Sequence, residues 1–233
     1  MRAPNADVHS VAPVLVASTI SPTAVLSAGV LAFVGFRLIS GARYSLSGEG
    51  RRLVGRIVGG MRWRHVWPAP FVLTLVVIVA SILMLVPGLD WGWWTALGGV
   101  GNPVTGGTGE TAGTALEWLI PLLFVALLVP ALPLFAYAEE RWFRMGAEQW
   151  SRRRRVTTTI RFGLIHALIG IPLGAALALS VGGAYFLWVY LRAARAGHSP
   201  TEAAIESARA HTAYNSIILV LVAVVAVATA FEI

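Results

Sequence analysis

The chain has 233 residues, of which 57% are hydrophobic and only 12% charged, and its mean hydropathy is +0.73. Soluble domains carry about 25% charged residues, so this composition indicates a membrane protein. All 18 basic residues are arginines, and there is no cysteine. The composition therefore excludes lysine Schiff bases, lysine-dependent phosphate loops, thiol nucleophiles, disulfides and thiolate metal sites.

Six hydrophobic segments are predicted to cross the bilayer, within one α-helical domain formed by residues 1–233. A hydrocarbon core of about 30 Å needs about 20 helical residues. The first apolar segment is longer than the ~7–15-residue core of a signal peptide, so we interpret it as a retained span. The fourth segment is too long for one helix, so it is predicted to form two spans that turn at Gly170-Ile171-Pro172. The segments are residues 11–36, 71–86, 118–138, 162–191 (two spans) and 215–231.

The arginines predict the orientation of these spans. Residues 37–64 contain seven arginines, 141–161 contain seven and 192–209 contain three, whereas 88–117 contain none. Cytoplasmic loops of membrane proteins are enriched in arginine and lysine. Six spans place 17 of the 18 arginines on one side, which is predicted to be cytoplasmic, with both termini outside. The net charge of +7 then reflects topology and anionic lipid, with no nucleic-acid partner, in a multi-pass protein of the cell membrane.

Several polar stretches are interpreted without a catalytic role. GNPVTGGTGET (101–111) resembles a phosphate-binding loop but lacks the lysine, which favours a flexible loop. SRRRR (151–155) is interpreted as an anchor at the inner face, with lipid headgroup binding as an alternative. His9, His65 and His198 lie in a tail or in polar linkers and are not expected to be catalytic.

The sequence His198-Ser-Pro-Thr-Glu predicts the start of a helix. Ser199 is expected at the N-cap, Pro200 at the first helical position and Glu202 at the third, which together form a capping box. The last helix is therefore predicted to begin near residue 200 and to run to about residue 231.

Few other polar groups lie close to the predicted spans, and they cluster at one depth. At about 1.5 Å per helical residue, all of them are expected near the inner boundary of the membrane. A charge in the bilayer centre costs about 2.5–3.5 kcal/mol on insertion scales, so such residues usually serve a function. They are Glu139, Glu140 and Arg144 in AEERWFR, His166 in FGLIH, and His211 and Asn215 in HTAYN.

Helical spacing predicts which of these side chains meet. Residues four apart share a helix face, so Glu140 is expected to pair with Arg144 and His211 to lie beside Asn215. Glu139 is rotated by about 100° from Glu140, so one carboxylate can face the bundle interior while the other holds the arginine. A buried, unpaired carboxylate suits a general acid or base, and a neutral imidazole and an amide can donate hydrogen bonds to an oxyanion.

Three motifs in this order resemble a known family. EERWFR fits EExxxR, FGLIH fits FxxxH, and HTAYN fits HxxxN. Over residues 118–231 the chain resembles the CPBP family of intramembrane proteases, which comprises CAAX proteases and bacteriocin-processing enzymes. The resemblance implies a helical membrane fold with a cavity that encloses glutamate and histidine. ESARA (206–210), before HTAYN, is partly polar where the family is usually apolar.

The resemblance also implies roles for the six residues. No HExxH motif and no thiolate is present, so a metal-independent hydrolase without a cofactor is favoured over a zinc enzyme. The resemblance implies water activation by Glu139 and His166, oxyanion stabilisation by His211 and Asn215, and support of the site by Glu140 and Arg144.

The expected function is that of an intramembrane endopeptidase. Its substrate would be a membrane-associated peptide or protein, cut near the cytoplasmic face. One alternative is a non-catalytic membrane chaperone, immunity or scaffold protein that keeps the fold. A proton-coupled transporter is a further alternative, since Glu/His relays occur in pumps, but the chain lacks a clear inverted repeat.

Overall fold

A computed structural model of the protein describes residues 22–96 and 113–232, and these residues form α-helices and short 3₁₀ helices, with no β-strand among them. His9 and the GNPVTGGTGET loop lie outside the described residues. In chain order the α-helices are α1 (Pro22–Leu46), α2 (Gly48–Val58), α3 (Trp63–Val66), α4 (Pro68–Leu83), α5 (Trp93–Ala96), α6 (Leu116–Phe143), α7 (Arg152–Leu164), α8 (Leu173–Arg195) and α9 (Pro200–Glu232), and 3₁₀ helices occupy Ala147–Gln149 and Ile165–Ile169.

Four stretches of the described chain are long and apolar enough to cross a membrane. This confirms the predicted all-α membrane bundle, although the number of such helices is smaller than the six predicted spans. The four are Trp63–Leu83, Leu116–Gln149, Leu173–Arg195 and Pro200–Ala228.

The predicted turn in residues 162–191 is present, but the first of the two predicted spans is not an apolar helix of its own. Gly170 adopts φ 90°, a left-handed conformation that favours glycine, and α8 begins directly after Pro172. α7 has only 13 residues and starts with four arginines, so it is both too short and too charged for a span of about 20 residues.

α7 nevertheless leads from one end of the bundle to the other. It begins next to the arginine-rich end of α6, and the chain after it reaches the far end of α4. There the N–H of Leu173 donates to the carbonyl of Trp91 at 3.0 Å, and that of Gly174 donates to the carbonyl of Leu89 at 2.6 Å. α7 and the 3₁₀ helix after it therefore follow the path that was predicted for the first span of residues 162–191. The start of α7 is polar, because its first four residues are arginines.

The first predicted span also differs from the structure. α1 runs from Pro22 to Leu46, so it passes the predicted end at residue 36 and includes Arg37. The remaining part of that predicted span, residues 11–21, lies outside the described residues. α1 packs closely on α6, because a Cβ added at Gly41 would lie only 2.9 Å from the Phe135 ring. The bounds of α1 therefore depend on its packing against α6 as well as on hydropathy.

α9 begins where the capping motif predicted. Ser199 Oγ accepts a hydrogen bond from the Glu202 N–H at 3.3 Å, Pro200 is the first helical residue, and the helix runs to Glu232. The reciprocal half of the box is replaced, because the Glu202 carboxylate pairs with Arg56 of α2. Small buried side chains on α9 allow this helix to pack closely against α6 and α8. This packing places the HTAYN motif beside the end of α6. The small side chains are Ala203, Ala204, Ala208, Ala210 and Ala213.

Candidate active site

The last turn of α6 contains a buried ion pair. Arg144 Nη1 lies 2.7 Å from Glu140 Oε1, and the exposed fractions of the two residues are 1% and 0%. The guanidinium also lies over the Phe162 ring, 4.2 Å from its centroid. The predicted pairing across four residues is therefore confirmed. Removing one partner of such a buried pair typically costs about 3–5 kcal/mol, because the other charge stays buried without compensation.

Glu140 has two further partners, both on α9. His211 Nδ1 lies 2.8 Å from Glu140 Oε1, and the Ser207 hydroxyl lies 2.6 Å from Oε2. Both oxygens of this carboxylate are thus engaged by protein groups, which suits a supporting role. Ser207 was missed by the sequence analysis. Its position one turn before His211, on the same helix face, is the signal in ESARA that could have identified it.

His211 is held in one orientation by these contacts. Its ring stacks on Phe186 with centroids 4.2 Å apart and an interplanar angle of 19°. Because Nδ1 carries the hydrogen donated to Glu140, Nε2 of a neutral ring presents a lone pair. The expected donation to an oxyanion therefore concerns Nε2, the nitrogen that faces Glu139. His211 can donate from Nε2 only in its doubly protonated form.

Glu139 faces the free nitrogen of His211. Its Oε2 lies 3.6 Å from His211 Nε2 and makes no hydrogen bond to the described residues, although that oxygen atom is buried. The side chain as a whole is 33% exposed. Of the two adjacent acids, the paired Glu140 is the one that faces the bundle interior, while the unpaired Glu139 lies at the edge of the site. A buried carboxylate oxygen without a partner is costly, and it is free to bind water.

His166 reaches the same region from the 3₁₀ helix after α7. Its Nδ1 donates to the Phe162 carbonyl at 2.9 Å, so Nε2 of a neutral ring again presents a lone pair. The Phe162 ring contacts both imidazoles, with centroid distances of 5.3 Å to His166 and 5.7 Å to His211. His166 makes no hydrogen bond to either glutamate within the described chain.

Asn215 lies one turn after His211 on α9 and is half-buried. Its side chain has no hydrogen-bond partner among the residues that the structure describes. The structure therefore joins four of the six predicted site residues in one contact network, brings His166 to it through a shared phenylalanine, and leaves the Asn215 amide available. The joined four are Glu139, Glu140, Arg144 and His211.

An apolar groove of about 440 Å³ runs beside this cluster between α6, α9 and the end of α2. Thr212, the neighbour of His211, lines it with a buried hydroxyl that has no hydrogen-bond partner in the described chain. Pro133 also lines the groove, and because proline has no N–H, the carbonyl of Val129 lacks its usual helical donor. The groove is therefore a mostly apolar surface between α6 and α9.

A second buried polar cluster was not anticipated. His65 is only 2% exposed, and its Nε2 lies 2.8 Å from Glu206 Oε1. Arg64 and Arg209 also contact the Glu206 carboxylate. The expectation that His65 lies in a polar linker is therefore wrong, because α3 packs against α9. Glu206 and Ser207 account for the polar ESARA segment, since they bind α3 and α6 respectively.

Within the described ranges, no group of three or more His, Asp or Glu side chains is arranged so that it could hold a metal ion. Comparison of the chain with models of protein families, with characterised proteins and with solved structures finds no match.

Proposed function

We propose that the protein is an intramembrane endopeptidase of the CPBP type. The observation that carries this proposal is the Glu139 carboxylate, with one buried oxygen that has no hydrogen-bond partner in the described chain and lies 3.6 Å from His211 Nε2. His211 is fixed by Glu140, which in turn is held by Arg144. A free carboxylate beside an oriented imidazole is the arrangement that water activation requires. The ordered EExxxR, FxxxH and HxxxN motifs support the same assignment.

In the proposed reaction, Glu139 takes a proton from a bound water while the water oxygen attacks the carbonyl carbon of the scissile peptide. The Nε2 lone pair of His166 accepts a hydrogen bond from the same water and orients it. Doubly protonated His211 and the Asn215 amide donate to the developing oxyanion. The tetrahedral intermediate then collapses, the C–N bond breaks, and Glu139 returns its proton to the departing amine. No cofactor is invoked.

The charge of the site is consistent with these roles. Glu140 is balanced by Arg144, and a proton on His211 Nε2, 3.6 Å from Glu139, offsets the second carboxylate. Such balance lowers the cost of keeping charged groups away from water. It also provides a donor at Nε2 when the oxyanion forms.

The proposed substrate is a membrane-associated peptide or protein that enters from the bilayer. The apolar groove supports this route, because it runs along α6 and α9 and includes Thr212, the residue that follows His211 in the sequence. We place the protein in the cell membrane with both termini outside and the site near the cytoplasmic face, and α7 together with the 3₁₀ helix after it takes the place of the fourth of the six predicted crossings. The arginine distribution supports this orientation.

One observation also fits a non-catalytic membrane chaperone, immunity or scaffold protein. The Glu140 carboxylate is fully engaged by Arg144, His211 and Ser207, so this part of the cluster stabilises helix packing whether or not a reaction follows. The two functions differ in what Glu139 does. In the non-catalytic protein the Glu139 carboxylate is dispensable.

The test compares the membrane proteomes of cells that express wild-type protein or Glu139→Gln, with new peptide N-termini as the readout. Glu117→Gln is the matched control, because Glu117 lies at the opposite end of the same helix and accepts a hydrogen bond from the Gly113 N–H. We expect substrate termini with wild type and Glu117→Gln, and a decrease of about 10²–10⁴-fold with Glu139→Gln. Termini that persist at full level with Glu139→Gln would contradict the mechanism, and termini that never appear would favour the non-catalytic protein.

A further inference from the structure

A second cavity, of about 260 Å³, lies where three membrane-spanning stretches end together. Its lining residues belong to the start of Trp63–Leu83, the end of Leu173–Arg195 and the region where Pro200–Ala228 begins. We call this cavity the span-end pocket; Arg64, Trp67, Tyr185, Trp188, Arg192 and His198 are among its residues. Because three spans terminate here, the pocket lies at the depth where a bilayer has its headgroups.

The charge of the span-end pocket is positive. Arg192 is exposed, has no carboxylate partner in the described chain, and lies 5.4 Å from the Trp188 ring centroid. Arg64 is 53% exposed at its side chain and contacts Glu206. Glu206 is also contacted by His65 and Arg209, so this one acid is more than offset by the two arginines beside it. The free positive charge is therefore centred on Arg192 and on the exposed face of Arg64.

Aromatic rings form the remaining wall of the pocket. Tyr185 and Trp188 stack with centroids 6.2 Å apart and an interplanar angle of 22°. Trp67 and Trp188 are each about half exposed, at 50% and 52%. Tryptophan and tyrosine with one apolar and one wet side are typical of the membrane–water interface. Guanidinium groups beside such rings match a ligand that has an anionic head and an apolar body.

We propose that the span-end pocket binds the phosphate headgroup of an anionic phospholipid. Arg192 and the Nη1 group of Arg64, whose Nη2 is held by Glu206, bind the phosphodiester oxygens, and the aromatic wall contacts the glycerol and the first part of the acyl chains. The volume supports a headgroup and not a whole amphiphile, because cavities for drug-sized ligands measure about 300–1,000 Å³. The acyl chains then stay in the bilayer outside the pocket. This proposal concerns binding alone and does not depend on the proposed peptidase reaction.

The test is native mass spectrometry of the full-length protein in detergent, titrated with phosphatidylglycerol or with phosphatidylcholine. We expect wild type to retain phosphatidylglycerol in preference to phosphatidylcholine. Arg192→Gln should lower that preference about fivefold, which corresponds to the ~1 kcal/mol contributed by one arginine near anionic lipid. Arg192→Lys keeps the charge and should retain most of the preference.

Arg195→Gln is the matched control. Arg195 lies in the last turn of α8, as Arg192 does, but lines a different cavity. This variant should change the preference by less than about twofold, within the ±0.5 kcal/mol expected of a surface substitution. Equal retention of the two lipids by wild type would overturn the proposal, as would equal losses in the Arg192 and Arg195 variants. Displacement of phosphatidylglycerol by millimolar inorganic phosphate would assign the pocket to a soluble phosphate and would also overturn the lipid assignment.

Discussion

The buried Glu140–Arg144 pair makes a quantitative prediction about stability. In Glu140→Gln the guanidinium of Arg144 remains 1% exposed beside Phe162 without its counter-charge. In Arg144→Ala the carboxylate of Glu140 remains buried with only the α9 partners. Each single substitution is expected to cost about 3–5 kcal/mol, as for other buried pairs that lose one partner.

The double substitution Glu140→Gln/Arg144→Ala should cost less than the sum of the two singles. Both charges are absent from the double variant, so no buried charge is left without a partner. The difference between the cost of the double substitution and the sum of the two single costs measures the interaction between the two groups. We expect a coupling free energy of about 2–3 kcal/mol, near the upper end for contacting residues. The same comparison can be made with Arg144→Met in place of Arg144→Ala. Methionine fills more of the space left by the arginine side chain than alanine does, so the cavity contributes less to the measured cost.

The assay is thermal unfolding of the purified protein in detergent, followed by tryptophan fluorescence. In a chain of this size about 1 kcal/mol corresponds to roughly 2–4 °C in Tm, so each single substitution should lower Tm by roughly 10 °C. Arg141→Ala is the matched control, because Arg141 is exposed on the same helix and should change stability by less than about 0.5 kcal/mol. Additive costs for the pair would refute the view that Glu140 and Arg144 stabilise the fold through each other.

Three further predictions concern the reaction and the topology. Glu139→Gln should abolish turnover with Tm nearly unchanged. Glu139→Asp should lower the turnover rate by roughly 10²-fold, because one methylene moves the carboxylate by about 1 Å. An active, stable Glu139→Gln variant together with an inactive, stable Glu140→Gln variant would reverse the two roles. Activity should survive exhaustive chelation, and loss of activity with recovery on added zinc would make the site residues metal ligands. A reporter fused at residue 105 should be accessible from outside and one at residue 152 from inside, and the opposite pattern would overturn the proposed orientation.

Features that depend on neighbouring residues were predictable from the sequence. The start of α9 follows from Ser199 and Pro200, because a cap involves groups within one helical turn. The turn at Gly170 follows from a glycine and a proline that cannot continue a helix. The Glu140–Arg144 pair follows from the spacing of four residues, which places both side chains on one helix face.

The number of membrane spans was only partly predictable from the sequence, because hydropathy is calculated for each segment without its packing partners. α7 begins with four arginines and still connects the two ends of the bundle. Its path is set by packing against α8, where Gly163 approaches so closely that a Cβ would lie 2.4 Å from the carbonyl oxygen of Ala176. Local apolarity carries no information about such a contact.

The chemistry of the site depended most on tertiary structure. Ser207 and His211 meet Glu140 across 67 and 71 residues of sequence, and His65 meets Glu206 across 141. No periodicity in the chain indicates these partners, because they exist only after α9 has packed against α6 and α3. The residue types determined which groups were available for proton transfer. Packing decided that Glu140 is enclosed, that His211 gives its Nδ1 hydrogen to Glu140, and that Glu139 keeps a buried oxygen without a hydrogen-bond partner in the described chain, since a side chain's hydrogen-bonding capacity is divided among the neighbours that the fold brings to it.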